Sequence, residues 1–215
     1  MNVHVIPAGP LQTNAYLLTA PERKEAVLID APMDVWSEVE PILRKDGCAL
    51  RELWLTHGHF DHLDGAAEVV GATRAKVRGH AGDRILFENP ESMRWFLDMF
   101  MEGHPTIAPV PPDIWVEHKE TFESLGAKIE VRHVPGHAPG NVAFYVPSLG
   151  AAFVGDSLFA GSIGRTDLPN GSFKELEKSI REQLYSLPDE TVIFPGHGPR
   201  TTVAAEKRGN PHVRP

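Results

Sequence analysis

Ten residues, "THGHFDHLDG" from Thr56 to Gly65, hold three histidines and two aspartates. Crowding imidazoles and carboxylates this closely costs desolvation and mutual repulsion unless a cation binds them. His57 and His59 are two apart, so in an extended segment both rings point to one side. Asp61 and His62 follow at a turn into "LDGAAEVVG", where they can face a second centre. Three further metal-type residues sit at comparable places: His137 after "AKIEVRHVPG", Asp156 at the end of "AAFVGD", and His197 after "TVIFPG". All seven stand at the carboxyl end of an expected strand, where the loops of α/β sheets gather ligands. Two centres need more than four ligands. His137 could complete the first, His197 the second, and the short carboxylate of Asp156 can bridge both. Such an oxygen and nitrogen donor set suits Zn, Fe or Mn with positions left open for water. The bland alternatives make Asp61 a helix cap and the others ordinary turn residues. They leave the shared strand-end position unexplained. His4, His80, His104, His118, His133 and His212 lack that pattern and read as structural or surface residues, although His80 also follows a strand.

The elements that must position these residues are short apolar runs rich in β-branched residues. They are "VHVI", "AYLLT", "AVLIDA", "ELWLTH", "AKVRGH", "AKIEVRHV", "NVAFYV", "AAFVGD" and "TVIFPGH". Helical patterns fall between some of them. "DVWSEVEPILRKDG" places Val35, Val39, Ile42 and Leu43 at helical spacing and ends on Gly47 as a C-cap. "GSFKELEKSIREQLYSLP" begins with Ser172 as N-cap and carries one stripe of Phe173, Leu176, Ile180, Leu184 and Leu187. Strands mixed with amphipathic helices indicate a layered α/β protein. No Gly/Ser linker divides the chain, so residues 1–215 read as one domain. Phe87 to Asp113 fits less well: a helix apolar on nearly every face, then a proline-rich loop. It reads either as a buried core helix or as a lid or partner surface, with Met93, Trp95, Phe96, Met99 and Phe100 as adaptable apolar groups.

Composition narrows the function. The formal charge of −8 argues against nucleic acid, which is bound by neutralising phosphates. The single cysteine, Cys48, excludes an internal disulfide and any all-thiolate metal site. The N-terminus lacks the marks of a leader, and no stretch approaches membrane-spanning length, so a cytoplasmic protein without membrane contacts is the expectation.

"THGHFDHLDG", "PGHAPGN", "VGDSLF" and "PGHG" resemble, in order and spacing, the motifs of metallo-β-lactamase-fold hydrolases, most closely the glyoxalase II-like branch. The resemblance spans nearly the whole chain. It implies an αββα sandwich of two similar halves with the metals at one edge of the sheets. It also implies that His57, His59 and His137 hold one metal, that Asp61, His62 and His197 hold the other, and that Asp156 bridges them. "PGHAPG" departs from many relatives, which have Thr where this chain has Ala138; the ligand itself is unchanged.

Two divalent ions sharing a water lower its pKa and hold a hydroxide ready at neutral pH. That hydroxide would attack a thioester, ester or amide carbonyl while a metal stabilises the oxyanion and Asp61 steers the nucleophile. A site with net positive charge favours a small anionic substrate. Asp156 stands where the most familiar β-lactam-cleaving relatives have a thiolate in the second site, which disfavours antibiotic hydrolysis. "GDSLFAGSIGR" resembles the glyoxalase II segment whose basic residue contacts glutathione, and Arg165 holds that position. The alternative for Arg165 is an ion pair with Asp167. True glyoxalase II enzymes continue into a helical C-terminal domain and carry a Tyr after the last ligand histidine, and both are missing here. Thioester hydrolysis, with a hydroxyacylglutathione as one candidate, remains the leading reading. Its rivals are a mononuclear-iron persulfide dioxygenase and a non-enzymatic metal-binding module.

Overall fold

All nine β-branched runs form strands in the computed structural model, which describes residues 1–215. The chain divides into two compact units, Met1–Trp115 and Val116–Pro215. The first is built on β1 (Asn2–Ala8), β2 (Thr13–Ala20), β3 (Glu25–Ile29), β4 (Ala49–Trp54) and β5 (Lys76–His80), with β6 (Ile114–Val116) at the boundary. They form one sheet in the order β1-β2-β3-β4-β5-β6. β1, β2 and β3 are antiparallel neighbours, whereas β3, β4 and β5 run parallel. Parallel neighbours need crossovers, and helices supply them. α1 (Val35–Asp46) joins β3 to β4, and the pair α2 (Phe60–Leu63) and α3 (Ala66–Thr73) joins β4 to β5. α1 buries Val35, Val39 and Leu43 and ends on Gly47, whose left-handed φ of 64° returns its N–H to the carbonyls of Arg44 and Leu43. Because β3, β4 and β5 share a direction, the residues that follow them emerge at one edge: Ala31 after Asp30, and the ligand segment after Leu55.

The second unit repeats the plan. β7 (Thr121–Ser124), β8 (Ala127–His133), β9 (Val142–Val146), β10 (Ala151–Gly155), β13 (Val192–Pro195) and β14 (Thr201–Thr202) form a sheet in the order β14-β13-β10-β9-β8-β7. A small ribbon of β11 (Leu158–Phe159) and β12 (Ser162–Ile163) follows β10. β10 and β13 are parallel, so Asp156 and His197 leave at the same edge. β8 and β10 are both antiparallel to β9, so the loop carrying His137 leaves there too.

The sheet's helix-side face is Val134, Ala143, Tyr145, Ala152, Val154 and Ile193, which alternate along their strands. It packs against Leu176, Ile180, Leu184 and Leu187. These come from α6 (Phe173–Ser179), a following π-helical stretch over Ile180–Leu184, and the turn after it; α7 (Val203–Gly209) closes the chain's helices. Ser172 caps α6 by accepting from the Glu175 N–H. One member of the expected stripe departs: Phe173, at the first turn, is exposed.

Phe87 to Asp113 is not one helix. It breaks into the end of α4 (Arg84–Glu88), a 3-10 turn at Pro90–Met93 and α5 (Arg94–Leu97), because Pro90 removes a donor and bars Asn89 from helical geometry. The buried-core reading holds for part of it. Phe87, Met93, Phe96 and Leu97 are core residues, while Trp95, Met99 and Phe100 face outward.

Leu184→Ala should lower unfolding stability by about 2–5 kcal/mol, the range for a buried leucine. Phe173→Ala should change it by no more than about 0.5 kcal/mol. Urea denaturation of the two variants checks this, and equal losses would contradict the burial assigned here.

Candidate metal centre

In the first unit, β4 ends at Trp54, Leu55–His59 form an irregular link, and α2 begins at Phe60. This puts His57, His59, Asp61 and His62 within a few ångströms of one another. His57 Nε2 lies 3.1 Å from His59 Nδ1, and the rings of His57 and His62 are 4.1 Å apart. His62 Nε2 is 3.6 Å from Asp61 Oδ2. Gly58 separates the first two histidines because nothing larger fits. An added Cβ would lie 2.6 Å from the Leu86 Cβ, and its N–H donates to the buried Asp83 carboxylate at 2.9 Å.

Hydrogen bonds to groups that can only accept fix the rings. The Asp30 carboxylate accepts from the Thr56 N–H at 2.8 Å, the Thr56 hydroxyl at 2.8 Å and His62 Nδ1 at 2.8 Å. With its proton given to Asp30, the Thr56 oxygen is the acceptor for His57 Nδ1 at 3.1 Å. Both rings therefore carry hydrogen on Nδ1 and present the Nε2 lone pair. Asp61 is fixed in its turn by the buried Thr13, whose hydroxyl donates to Oδ2 at 2.8 Å.

The second unit gathers the other three residues. His137 Nε2 lies 3.7 Å from Asp156 Oδ2, and His197 Nε2 lies 3.4 Å from the same oxygen. His137 Nδ1 donates to the Arg165 carbonyl at 2.8 Å, which again leaves Nε2 as the outward lone pair. Close backbone packing makes that contact possible. A Cβ on Gly164 would fall 1.7 Å from the Asp156 carbonyl oxygen, and one on Gly136, at φ +127°, 2.2 Å from the Leu176 nitrogen. The Arg165 guanidinium makes a two-pronged pair with Asp167, Nε to Oδ1 at 2.7 Å and Nη2 to Oδ2 at 2.8 Å. That pair holds the Asp167 carboxyl down to about 2. Of the two roles open to Arg165, this is the ion pair.

The donor set fits transition-metal ions. Three imidazoles offer Nε2 with the hydrogen placed on the opposite nitrogen, the arrangement of metal-binding histidines. The 3.1 Å between His57 Nε2 and His59 Nδ1 is close to the edge of a tetrahedral site whose nitrogens sit about 2.0–2.1 Å from a shared ion. Four of these His and Asp ligands belong to the first unit and three to the second, and together the two sets suit two metal ions.

Of the polar groups that orient the ligands, Thr56 opens the ligand motif, whereas Asp30, Thr13 and Asp83 lie outside it. Of those three, Asp30 alone carried a signal, since it closes the run "AVLIDA" at a strand end as the ligands do. His104, read from the sequence as structural or surface, is buried beside Asp64. His80 accepts from the Gly82 N–H at 3.1 Å and caps the turn after β5.

The model of the metallo-beta-lactamase superfamily matches residues 8–197. The chain belongs to this superfamily. Among curated members, the hydroxyacylglutathione hydrolase GloC of Haemophilus influenzae is 37% identical over 99% of this chain and 98% of its own length. The crystal structure of TTHA1623 in a di-iron-bound form is 38% identical with a TM-score of 0.82, covering 98% of this chain and 100% of that one. The structure of the BLEG-1 B3 metallo-beta-lactamase is 34% identical with a TM-score of 0.88, covering 99% of each chain. The metallo-β-lactamase sandwich fold implied by the motifs is therefore the fold of this chain, and the protein is a metallo-hydrolase of the superfamily. No helix is long and apolar enough to cross a membrane.

Asp30→Ala should lower metal affinity by about 10–100-fold while leaving all seven candidate ligands in place. Titration with a competing chelator, alongside circular dichroism to confirm folding, checks this. Unchanged affinity in a folded variant would mean that the rings are oriented by something else.

Proposed function

We propose that the two ligand sets act as one dinuclear centre and that the protein hydrolyses a small thioester, with a hydroxyacylglutathione as first candidate. His57, His59 and His137 would hold one divalent ion, Asp61, His62 and His197 the other, and Asp156 both. The observation that carries this reading is that His57, His62 and His137 each turn Nδ1 to an oxygen outside the ligand set and Nε2 toward another ligand atom. Zinc is our choice of metal. Iron suits the same donors, and TTHA1623 was solved with two irons. Bound there, two divalent ions supply an acidified water and an electrophile for the carbonyl oxygen. Asp61, with Oδ2 tied to Thr13, is set to orient the attacking water, and the Arg165 carbonyl keeps His137 in register.

Support for the thioester comes from GloC, which bears its name at nearly the same length as this chain. The match spans 98% of that relative's own length. β-Lactam hydrolysis is the second reading, favoured by the likeness to BLEG-1. That likeness weakens the argument against antibiotic hydrolysis drawn from Asp156.

Purified protein should hold close to two transition-metal ions and turn over S-acylglutathione thioesters faster than lactones or β-lactams, and Asp156→Ala should lose most of both ions. Elemental analysis with a substrate panel checks this. One iron, oxygen uptake with a glutathione persulfide and no hydrolysis would overturn it.

For Arg165 we propose that an anionic substrate group competes with Asp167 for the guanidinium. Arg165→Ala should then cost roughly ten- to a hundredfold in kcat/KM for carboxylate-bearing thioesters and spare neutral ones. Equal losses for both, reproduced by Asp167→Ala, would confine Arg165 to holding the loop beneath His137.

A further inference from the structure

Apart from the ligands and Asp30, the first unit buries one other imidazole–carboxylate pair. His104 Nε2 lies 2.8 Å from Asp64 Oδ2, and His104 Nδ1 donates to the Pro105 carbonyl at 2.7 Å. Arg94 donates to the carbonyls of His104 and Pro105, and its Nε meets Asp98 Oδ1 at 2.9 Å. Residues 94–105 are thereby drawn into a closed loop. Its inner face is Phe96 and Leu97; its outer face is Trp95, Met99 and Phe100, which are 52%, 71% and 47% exposed. Phe96 links the two faces, with ring centroids 5.6 Å from Trp95 and 5.1 Å from Phe100.

This loop meets the ligand segment at two points. Phe96 packs edge-on against Phe60 at 5.9 Å, and His104 reaches Asp64. Phe60 and Asp64 bracket Asp61 and His62. A loop that needed only cohesion could be held by apolar contacts alone, since a buried ionic pair adds little net stability over well-packed hydrophobic groups. What such a pair adds is a defined register: an edge-on ring contact tolerates sliding, but His104 Nε2 meets one carboxylate oxygen at 2.8 Å.

We propose that His104 and Asp64 form a specificity-determining latch. It fixes the aromatic wall of Trp95, Phe96 and Phe100 beside the Phe60–Asp64 segment, so that the wall receives the apolar part of the substrate. The substrate half of this proposal rests on the hydrolase reading above; the latch itself does not. His104 acts through the wall and is a positioning residue.

The experiment uses the metal-loaded full chain, His104→Ala, His104→Gln and Trp95→Ala, and neutral thioesters whose acyl chain lengthens from acetyl to octanoyl. KM of the unsubstituted protein should fall as the acyl chain grows. His104→Ala should raise KM for the longest substrate by about tenfold while leaving the acetyl substrate, kcat and metal content within about twofold. His104→Gln, whose amide can still donate to Asp64, should restore most of the loss, and Trp95→Ala should show the same dependence on chain length. Limited chymotrypsin digestion reads the latch without any substrate: His104→Ala should speed cleavage at Trp95, Phe96 or Phe100 by about tenfold. Loss of activity that is independent of chain length, or cleavage no faster than in the unsubstituted protein, would overturn the proposal. If the unsubstituted protein turns over no thioester but His104→Ala is still cleaved faster, the hydrolase reading fails and the latch stands.

Discussion

One buried carboxylate governs the geometry of the first ligand set. Asp30 stands at the end of β3 with φ at 58°, a left-handed conformation that costs a non-glycine residue energy. The strain aims both carboxylate oxygens across to the neighbouring parallel strand. There they take the backbone and hydroxyl of Thr56 and, through Oδ2, the ring of His62. Three donors compensate a charge that would otherwise be prohibitively costly to bury. Asp30 thus ties the end of β3, the end of β4 and helix α2 into a single unit, and two histidine tautomers follow from it. Backbone strain at a site is maintained only when its surroundings over-determine it, and three converging donors do so here.

The second unit solves the same problem with backbone instead of a side chain. His137 is oriented by a carbonyl, that of Arg165, and the carbonyl is brought into reach because Gly164 lets the chain lie directly on Asp156. The difference is one of charge. His62 has a carboxylate behind its ring, whereas His137 has only a neutral carbonyl. The two ligand sets are alike in residue type and unlike in what stands behind these rings.

Much of this was legible in the residues. Strands announced themselves because β-branched runs bounded by glycine and proline leave few other conformations, and the strand ends then located the ligands. Ser172 and Gly47 worked as caps because their chemistry is local. The failures share a cause, which is dependence on partners distant in the chain. Asp30 is an ordinary aspartate until Thr56 and His62 are placed around it. His104 reads as a structural or surface residue, and its burial is decided only by Asp64, forty positions away in sequence. Phe173 continues a periodic stripe, yet it sits at the first turn of α6, beyond the edge of what the sheet covers. The short strands β7, β11, β12 and β14 exist by pairing and have little propensity of their own.

Gly164 bears on how freely this chain can diverge. With no room even for a methyl group against the Asp156 carbonyl, the loop beneath His137 is closed to ordinary substitution, and an exchange there would move a ligand before it altered any preference among substrates. Trp95, Met99 and Phe100 meet no such restriction, because about half or more of each residue is exposed. Variation that leaves the chemistry intact is therefore channelled into that outer face, and a laboratory library aimed at new substrates would do well to randomise those three positions and leave the glycine alone.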